Sequence, residues 1–372
     1  MPVRVLHILH SMNRGGAENA IMNYYRHIDR SKVQFDFLLT SQDKSQFEDE
    51  ILGLGGEIYR VPCMTLLNPW AYMKGVSRFF KKHPEYLIVH SHTSSKSFFP
   101  LLLARMAKIP VRISHSHGSR SEAGVKGRIR NFLKPFLKFV ATHFIACGDS
   151  AAVWLFGPKM FNEGKVIVFR NVIEADRFDL DNEIRKEIRD SLGVDDATIV
   201  LGCTARFSHV KNHHFLVSLF DELHRVIPNS RLLLVGDGEL RPIINNQVET
   251  LGINDSVFFS GLVSNVSDYE QAMDFFLLTS INEGLPLSLI EAQVSGLRCF
   301  VSKGIPCEAD KTGLVSFLPL EKGPKYWANE IIKCLGYSRR SRLEDIRNAG
   351  YDASFSAKEL EQFYIDAYKT IV

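Results

Sequence analysis

The fold is decided by a nine-residue stretch that reads Glu283-Gly284-Leu285-Pro286-Leu287-Ser288-Leu289-Ile290-Glu291. The short apolar run 275–278 before it is typical of a parallel strand that is covered on both faces. Pro286 suits the first position of a helix, because its fixed φ is helical and its missing N–H would have no partner there. The stretch therefore predicts a strand, a loop and a helix.

The place of this loop predicts a ligand. In an open α/β sheet, the loop after the carboxyl end of a strand lies at the ligand crevice, and the free N–H groups of the next helix favour an anion such as phosphate. Two carboxylates would repel a phosphate, so Glu283 and Glu291 are better suited to accept hydrogen bonds from neutral hydroxyls, such as those of a ribose and a hexose. The stretch suggests a nucleotide sugar. The alternative is that both are solvated surface carboxylates.

The spacing of the two carboxylates resembles the E-x7-E signature of the family 4 retaining glycosyltransferases. That family has the GT-B fold, an α/β architecture of two Rossmann-like doubly wound domains that face a central cleft. Its first Glu contacts the donor sugar and its second Glu contacts the ribose, which implies these roles for Glu283 and Glu291. The resemblance extends the donor site to the turn between them, Gly284, Leu285, Pro286 and Leu287.

Two cations follow another predicted strand, residues 198–203. Arg206 and Lys211 lie five residues apart between this strand and a helix, which predicts a clamp for a diphosphate. Their spacing resembles the R-x4-K element of the same family, which implies that they neutralise the leaving diphosphate. The later stretch Val235-Gly236-Asp237-Gly238 resembles the family's turn next to the nucleotide base. Gly236 is therefore predicted to bind the donor.

A glycine pair marks the first loop of the chain. Residues 5–9 predict a strand and residues 17–27 a helix, with Gly15 and Gly16 between them. Glycines let a ligand approach backbone N–H groups, although a flexible turn is the alternative. The run resembles the family's G-G-x-E loop, which faces the donor diphosphate and the acceptor. This implies that Gly15 and Gly16 bind the donor, with Glu18 as a further candidate.

Two H-x-H pairs, His90/His92 and His115/His117, follow predicted strands. They suggest a metal site, but no carboxylate or thiolate lies close by in sequence to complete one. A structural or hydroxyl-binding role is favoured instead. The second pair resembles the family's crevice histidine, which contacts the donor sugar near the reacting centre. His117 matches it and is a candidate catalytic residue together with Arg206, Lys211 and Glu283, while an ordinary hydrogen-bonded loop histidine is the alternative.

Residues 119–138 form a basic amphipathic segment. Apolar residues recur every three or four positions, and a single acid, Glu122, opposes six cations: Arg120, Lys126, Arg128, Arg130, Lys134 and Lys138. Such a face suits anionic lipid and a lipid-diphosphate acceptor. The alternative is an ordinary helix whose apolar stripe packs on its own sheet. Both interpretations stay open, and we expect a cytoplasmic protein with peripheral contact at the inner face of the cell membrane.

Composition excludes several classes of protein. The 372 residues, 45% of them hydrophobic, are enough for two domains with separate cores. The 45 basic and 42 acidic residues nearly balance, so no nucleic-acid partner is indicated. Six scattered cysteines without C-x-x-C spacing are interpreted as reduced core residues of a cytosolic protein. No run of 18 apolar residues predicts a spanning helix.

These observations predict two domains. Residues 1–172 form an acceptor-side domain, onto which a C-terminal helix within 351–372 crosses back, and residues 186–350 bind the nucleotide sugar. The predicted protein is a hexosyltransferase, similar to bacterial capsular and exopolysaccharide glycosyltransferases. It moves a sugar from a UDP-linked donor to a saccharide or lipid-linked saccharide acceptor, with retention of anomeric configuration as the resemblance implies.

We expect no metal ion and no other cofactor, because Arg206, Lys211 and the helix that begins at Pro286 supply the charge that stabilises a leaving diphosphate. Two alternatives stay open. A nucleotide-sugar epimerase shares the architecture and needs no acceptor, and a non-catalytic sugar-nucleotide binder would retain the same clamp.

Overall fold

The computed structural model describes residues 2–65, 68–118 and 124–371, without the side chains of 124–126 and 130. The chain forms two compact units. Unit 1 comprises Met1–Val172 and Ala353–Val372, and unit 2 comprises Ile173–Asp352. Residues 173–185, which the sequence analysis left between its two domains, belong to unit 2.

Unit 1 contains a parallel sheet with the strands β1 (Val3–Leu9), β2 (Val33–Leu39), β3 (Ile58–Arg60), β4 (Ile88–Ser91), β5 (Val111–Ser116), β6 (His143–Ala146) and β7 (Ile167–Val168). Their order in the sheet is β3-β2-β1-β4-β5-β6-β7. The helices within 1–172 are α1 (Gly16–His27), α2 (Glu48–Gly53), α3 (Pro69–Lys82), α4 (Phe98–Met106), α5 (Gly124–Leu133), α6 (Leu137–Val140), α7 (Asp149–Phe156) and α8 (Pro158–Asn162).

Unit 2 repeats the plan with the strands β8 (Ile199–Thr204), β9 (Ser230–Val235), β10 (Val257–Gly261), β11 (Phe275–Leu278), β12 (Arg298–Ser302) and β13 (Val315–Leu318). Their order is β10-β9-β8-β11-β12-β13, again all parallel. Its helices are α9 (Asn182–Ser191), α10 (His213–Val226), α11 (Arg241–Leu251), α12 (Val266–Ala272), α13 (Leu287–Val294), α14 (Gly323–Ile332) and α15 (Leu343–Asn348). Short 3₁₀ turns complete the chain at Ser94–Ser97, Lys134–Phe136, Ala175–Phe178, His209–Lys211, Asn254–Ser256, Cys307–Ala309 and Leu320–Lys322.

The last helix, α16 (Ala353–Lys369), returns to unit 1 and covers one face of its sheet. Its Tyr364 is fully buried in the apolar cluster that also contains Val5, Phe35 and residues of α1. Glu361 of α16 accepts a hydrogen bond from the backbone N of Asp29 at 2.7 Å and pairs with Lys32 at 3.2 Å. A second cluster, with Leu6 of β1 and the buried residues of α3 and α4, fills the opposite face.

In both sheets the strand order reverses beside the first strand of the unit, between β1 and β4 and between β8 and β11. Ligands of open α/β sheets bind at the carboxyl ends of the strands at such a switch point. The predicted fold class, two parallel doubly wound α/β domains, is confirmed, and the predicted strands agree within a few residues with those observed. One local prediction is wrong by one residue, since α13 begins at Leu287 and Pro286 is the residue before it.

The six cysteines are free, but they are not all core residues as expected. Cys147, Cys203 and Cys299 are buried, Cys334 is half-buried, and Cys63 and Cys307 are exposed. The exposed pair lies in connecting segments outside the strands, where no apolar layer covers a side chain. Within the described part of the chain, no helix is long and apolar enough to cross a membrane.

Candidate active site

The switch point of unit 2 brings together two residues that are far apart in sequence. Lys211 follows β8 and Glu283 follows β11, and the Lys211 Nζ atom lies 2.6 Å from Glu283 Oε1. The Ser280 hydroxyl donates to the same oxygen at 2.9 Å. The backbone N of Ile281 donates to the carbonyl of Val210 at 2.8 Å, so the two loops are joined directly. Two predicted site residues therefore form one ion pair, whose side chains are 20% and 11% exposed.

Lys211 is held in place by the turn that follows it. Asn212 adopts a left-handed conformation with φ 54° and ψ 47°, after which α10 begins at His213. The Thr279 hydroxyl, from the end of β11, donates to the Asn212 carbonyl at 3.0 Å. Asparagine tolerates this conformation better than most residues, so the sharp turn fixes the direction in which Lys211 leaves the backbone.

Arg206, the other predicted member of the clamp, is oriented differently. Its guanidinium lies 3.1 Å from the carboxylate of Glu239, and the side chains are 74% and 55% exposed. An ion pair this exposed contributes little to stability. In this structure each cation of the clamp is therefore paired with a separate carboxylate, and Arg206 can exchange Glu239 for another anion at low cost.

Gly236, which the sequence analysis assigned to the donor site, has a clear structural reason to be glycine. Its φ is +130°, and a Cβ at this position would lie 2.3 Å from the carbonyl oxygen of Ala205. The turn after β9 is thus packed directly against the backbone that carries Arg206. Gly284 differs, because a Cβ there would meet nothing within 4 Å. Leu285 and Leu287 pack beside the apolar cluster of α13 and α15.

Glu291 lies on α13 and is half-buried. Burial raises the pKa of its carboxyl to about 7, while the Arg177 charge acts in the opposite direction. Glu270 of α12 is almost completely buried, and burial, followed by the charge of Glu291, raises its pKa well above the usual range. The sequence analysis missed Glu270, and it treated Glu291 as a plain carboxylate. A carboxyl that titrates near neutrality can both accept and donate a hydrogen bond to a hydroxyl.

In unit 1, Gly15 precedes α1 and Gly16 begins it. The carboxylate of Glu18 turns back over Gly15, where a Cβ would lie 2.4 Å from Glu18 Oε2. Burial raises the pKa of Glu18. A Cβ on Gly16 would meet nothing within 4 Å, so the described residues leave space beside it for a ligand.

His117 follows β5 and is hydrogen-bonded through both ring nitrogens. Its Nδ1 lies 3.3 Å from Asn171 Oδ1, and its Nε2 lies 2.7 Å from His92 Nδ1. Burial lowers the pKa of His117 to about 4, so the ring is neutral at neutral pH. A contact between His117 and a donor sugar would have to replace one of these two partners.

His117 is one of five histidines that we call the histidine cluster: His7, His90, His92, His115 and His117. The sequence analysis noticed the two H-x-H pairs but missed His7 on β1. His7 stands directly opposite His90 in the β1–β4 register, and residues two apart on a strand face the same side, so the structure adds His7 to the two pairs.

Comparison with known proteins identifies the family of the chain. A family model for glycosyl transferases group 1 matches residues 184–314, and one for a glycosyl transferase 4-like domain matches residues 15–171. The putative glycosyltransferase EpsF of Bacillus subtilis (strain 168) is 35% identical over 368 residues, which cover 97% of this chain and 96% of the relative. The chain belongs to the group 1 glycosyltransferases. The predicted family and the assignment as a transferase are confirmed.

Other members of the family match over most of their length. The capsular polysaccharide biosynthesis glycosyltransferase CapH of Staphylococcus aureus is 26% identical, with 98% of this chain and 99% of the relative covered. A Campylobacter jejuni enzyme named N,N'-diacetylbacillosaminyl-diphospho-undecaprenol alpha-1,3-N-acetylgalactosaminyltransferase is 25% identical, with 90% and 91% covered. Among solved structures, Anabaena Alr3699/HepE in complex with UDP has a TM-score of 0.70 at 19% identity, covering 99% and 98% of the two chains. This likeness concerns the fold.

The basic amphipathic segment of this glycosyltransferase is divided between two environments. Its residues 119–123, including Arg120 and Glu122, lie outside the described residues, as do the side chains of Lys126 and Arg130. Leu133 and Leu137 are buried against unit 1, whereas Ile129, Phe132 and Phe136 are exposed. Part of the apolar stripe therefore packs on its own domain and part of it faces outward.

Proposed function

We propose that this glycosyltransferase moves a sugar from a nucleotide sugar to a saccharide or lipid-linked saccharide in surface polysaccharide synthesis. The observation that carries the proposal is the 2.6 Å pair of Lys211 and Glu283 at the switch point of unit 2. In this structure the two charges neutralise each other. When a donor binds, its diphosphate replaces Glu283 as the partner of Lys211, and Glu283 becomes free to accept hydrogen bonds from the hydroxyls of the donor sugar.

The same pair supports an electrostatic mechanism. Negative charge grows on the diphosphate as its bond to the sugar breaks, and cations that are already in place stabilise that charge. Lys211, Arg206 and the free N–H groups at the start of α13 would supply this stabilisation, so the proposed transfer uses no metal ion at the diphosphate. Gly236, Gly284, Leu285, Pro286 and Leu287 would form the walls of the donor site.

On the acceptor side, we propose that Gly15 and Gly16 face the diphosphate and that neutral His117 faces the donor sugar. The resemblance to retaining enzymes supports retention of configuration, with an oxocarbenium-like centre beside His117. Two relatives support the acceptor class, since one is named for capsular polysaccharide and the other for a diphospho-undecaprenol acceptor. UDP, the nucleotide of the Anabaena complex, is the first nucleotide to test.

We further propose that the outward part of segment 119–138 contacts anionic lipid, because exposed Phe132 and Phe136 lie among cations there. Flotation with anionic and neutral vesicles tests this contact. Preference for anionic vesicles that weakens with salt is expected, since exposed charges are screened over about 10 Å at 0.1 M salt. Equal binding to both kinds of vesicle would contradict it.

The central experiment is calorimetry of UDP, GDP and their sugars against the wild type and two variants at pH 8, where Glu291 is ionised. Glu291→Ala should weaken binding of the bare nucleotide about 10- to 100-fold, the loss expected for hydrogen bonds to a charged group. Glu283→Ala should leave the affinity for the bare nucleotide near that of the wild type and reduce binding or transfer of the sugar.

Glu239→Ala is the matched control, because Glu239 is an exposed carboxylate that pairs with a clamp cation but has no proposed contact with the donor. If neither Glu283→Ala nor Glu291→Ala changed any affinity or the subsequent transfer, the donor site would be misplaced and the proposed function would fail. The same measurements without added metal test the metal-free mechanism.

A further inference from the structure

The histidine cluster places five imidazoles on one face of the unit 1 sheet. His7, His90 and His115 belong to β1, β4 and β5, three neighbouring strands. His92 and His117 lie two residues beyond His90 and His115, so they face the same side. This is the side covered by α1 and α16. The cluster surrounds a cavity of about 20 Å³, which is room for a single water-sized occupant.

The hydrogen bonds of the cluster are arranged in two lines. In one line, Asn171 Oδ1 can only accept, so His117 Nδ1 carries a proton and His117 Nε2 is left with a lone pair. His92 Nδ1 lies 2.7 Å from that Nε2, and His92 Nε2 lies 2.8 Å from His7 Nδ1. When His92 carries its proton on Nδ1, it donates this hydrogen bond to His117 Nε2. When the proton lies on His92 Nε2 instead, His92 Nδ1 and His117 Nε2 present two lone pairs that a cation can bind in place of the hydrogen bond.

The second line runs from Tyr364. The Tyr364 hydroxyl oxygen lies 2.6 Å from His90 Nδ1, and His90 Nε2 lies 3.1 Å from His115 Nδ1. When His90 donates to Tyr364 and His115 donates to His90, the lone pair of His115 remains on its Nε2. This atom is buried and has no hydrogen-bond partner among the described residues. A buried polar atom without a partner costs free energy and calls for a ligand.

From this arrangement we infer that unit 1 holds a transition-metal ion of the zinc class, bound by His92 Nδ1, His115 Nε2 and His117 Nε2. One ligand atom from each of these three residues lies within 4.8 Å of the others. Imidazole is a ligand that zinc, copper and nickel prefer, and three histidines with a fourth open position form a known type of zinc site. The ligand nitrogens of His92 and His117 would separate to about 3.3 Å around an ion at 2.0–2.1 Å from each.

The outer contacts of the three ligands fit a metal site. The second nitrogen of each ligand faces an acceptor: Asn171 for His117, His7 for His92 and His90 for His115. Such partners fix the tautomer and the orientation of metal-binding histidines. The sequence analysis rejected a metal site at the two H-x-H pairs because it looked for a nearby carboxylate or thiolate, whereas the two pairs follow neighbouring strands and complete a site together.

The test uses the untagged full chain after treatment with a chelator. Zinc titration by calorimetry should show one site, and cobalt should give the visible absorption of a tetrahedral ion. His92→Gln and His115→Gln should each weaken zinc binding at least ~100-fold, and Asn171→Ala should weaken it about 10- to 100-fold, as loss of outer contacts does. His83→Gln is the matched control, because His83 lies in unit 1 outside the cluster and pairs with Glu85. It should bind zinc as the wild type does.

X-ray absorption of the zinc-loaded wild type needs no variant and should show three imidazole nitrogens at about 2.0–2.1 Å. Absence of a stoichiometric site, fewer than three imidazoles, or unchanged zinc binding in folded His92→Gln and His115→Gln variants would each overturn the inference. If His117 also contacts the donor sugar, zinc should lower the affinity for the nucleotide sugar. This loss of donor affinity depends on the proposed function. If zinc bound normally and donor affinity did not fall, the proposed contact of His117 with the donor sugar would be wrong, whereas the zinc site would stand.

Discussion

The two units place very different chemistry at the same topological position. Beside β1 and β4, unit 1 gathers neutral imidazoles into a buried cluster. Beside β8 and β11, unit 2 pairs opposite charges, Lys211 with Glu283, at the edge of the solvent. The order of the six strands in unit 2 matches that of the first six strands in unit 1, whose sheet adds β7 at one edge. The comparison shows that topology decides where a site lies, and that the side chains at the strand ends decide what the site can do.

The two regions should respond oppositely to acid, which is the largest effect we expect. Burial holds the pKa of His7 at about 3 and that of His117 at about 4, and it lowers the pKa of the other three cluster histidines well below the usual range. These folded pKa values lie below the unfolded value of about 6.5, so the unfolded state binds protons first as the pH falls. The folded state therefore keeps its full stability above pH 6.5 and loses stability below it. Each histidine that stays neutral in the folded state lowers the free energy of unfolding by ~1.4 kcal/mol per pH unit.

For two carboxyls of unit 2 the sign is reversed. The folded pKa values of Glu291 and Glu270 lie above their unfolded values, so the stability they contribute is lost as the pH rises through the folded pKa and grows as the pH falls. Buried His213, whose pKa burial lowers to about 4, acts in the opposite direction to these carboxyls. Hydrogen exchange of the metal-free protein between pH 7 and pH 5 should therefore show unit 1 losing more protection than unit 2. Parallel loss of protection in both units would contradict the contrast. His83→Gln serves as a control that leaves the acid response unchanged.

Within unit 2, the two clamp cations should differ in their effect on stability while both affect turnover. Replacing Arg206 or Lys211 with Ala should reduce turnover at least ~10²-fold, the scale of losing one charge stabiliser. Lys211→Ala should also destabilise unit 2 by about 1–3 kcal/mol, because it removes the cation beside a mostly buried Glu283. Arg206→Ala should leave stability unchanged.

Glu239→Gln is the control for Arg206, since it weakens the surface ion pair and keeps the cation. Turnover on a confirmed acceptor and denaturant midpoints measure both effects. Near-wild-type transfer by the double variant Arg206→Ala/Lys211→Ala would show that the two cations do not stabilise the leaving diphosphate.

The smallest effect concerns two glycines that follow strands, Gly16 after β1 in unit 1 and Gly236 after β9 in unit 2. Gly16→Ala adds a methyl group that meets no protein atom within 4 Å, so folding should be unaffected and donor binding should weaken roughly 10-fold if a diphosphate approaches this backbone. Gly236→Ala should instead destabilise unit 2, because its Cβ would meet the Ala205 carbonyl. Melting curves together with nucleotide-sugar titrations separate the two cases. Unchanged donor affinity in Gly16→Ala would show that this loop is only a turn.

Motifs within single loops could be predicted from the sequence. The strand–loop–helix units around Arg206, Lys211 and Glu283 are local, and the apolar runs before them identify parallel strands. The contact between Lys211 and Glu283 required the additional knowledge that β8 and β11 are neighbours, which follows from a doubly wound order.

Other features could not be predicted from separate motifs. The histidine cluster depends on the register of three strands, and no single stretch of sequence contains it. The influence of Glu291 on Glu270 depends on how α12 and α13 approach each other, which neither helix encodes alone. Whether a cysteine between strands is covered or exposed is also decided by packing, which explains why Cys63 and Cys307 were misplaced in the core.

The return of α16 to unit 1 has a consequence for synthesis on the ribosome. All seven strands of unit 1 emerge within the first 172 residues, but the helix that covers one face of their sheet begins only at Ala353. Nascent domains usually fold in the order in which they are made. Here unit 2 is complete before unit 1 can close, and the apolar face beneath Tyr364 stays uncovered while some 180 residues are translated. A nascent chain that ends at Asp352 would thus contain every residue of the second unit but lack the helix that covers one face of the first.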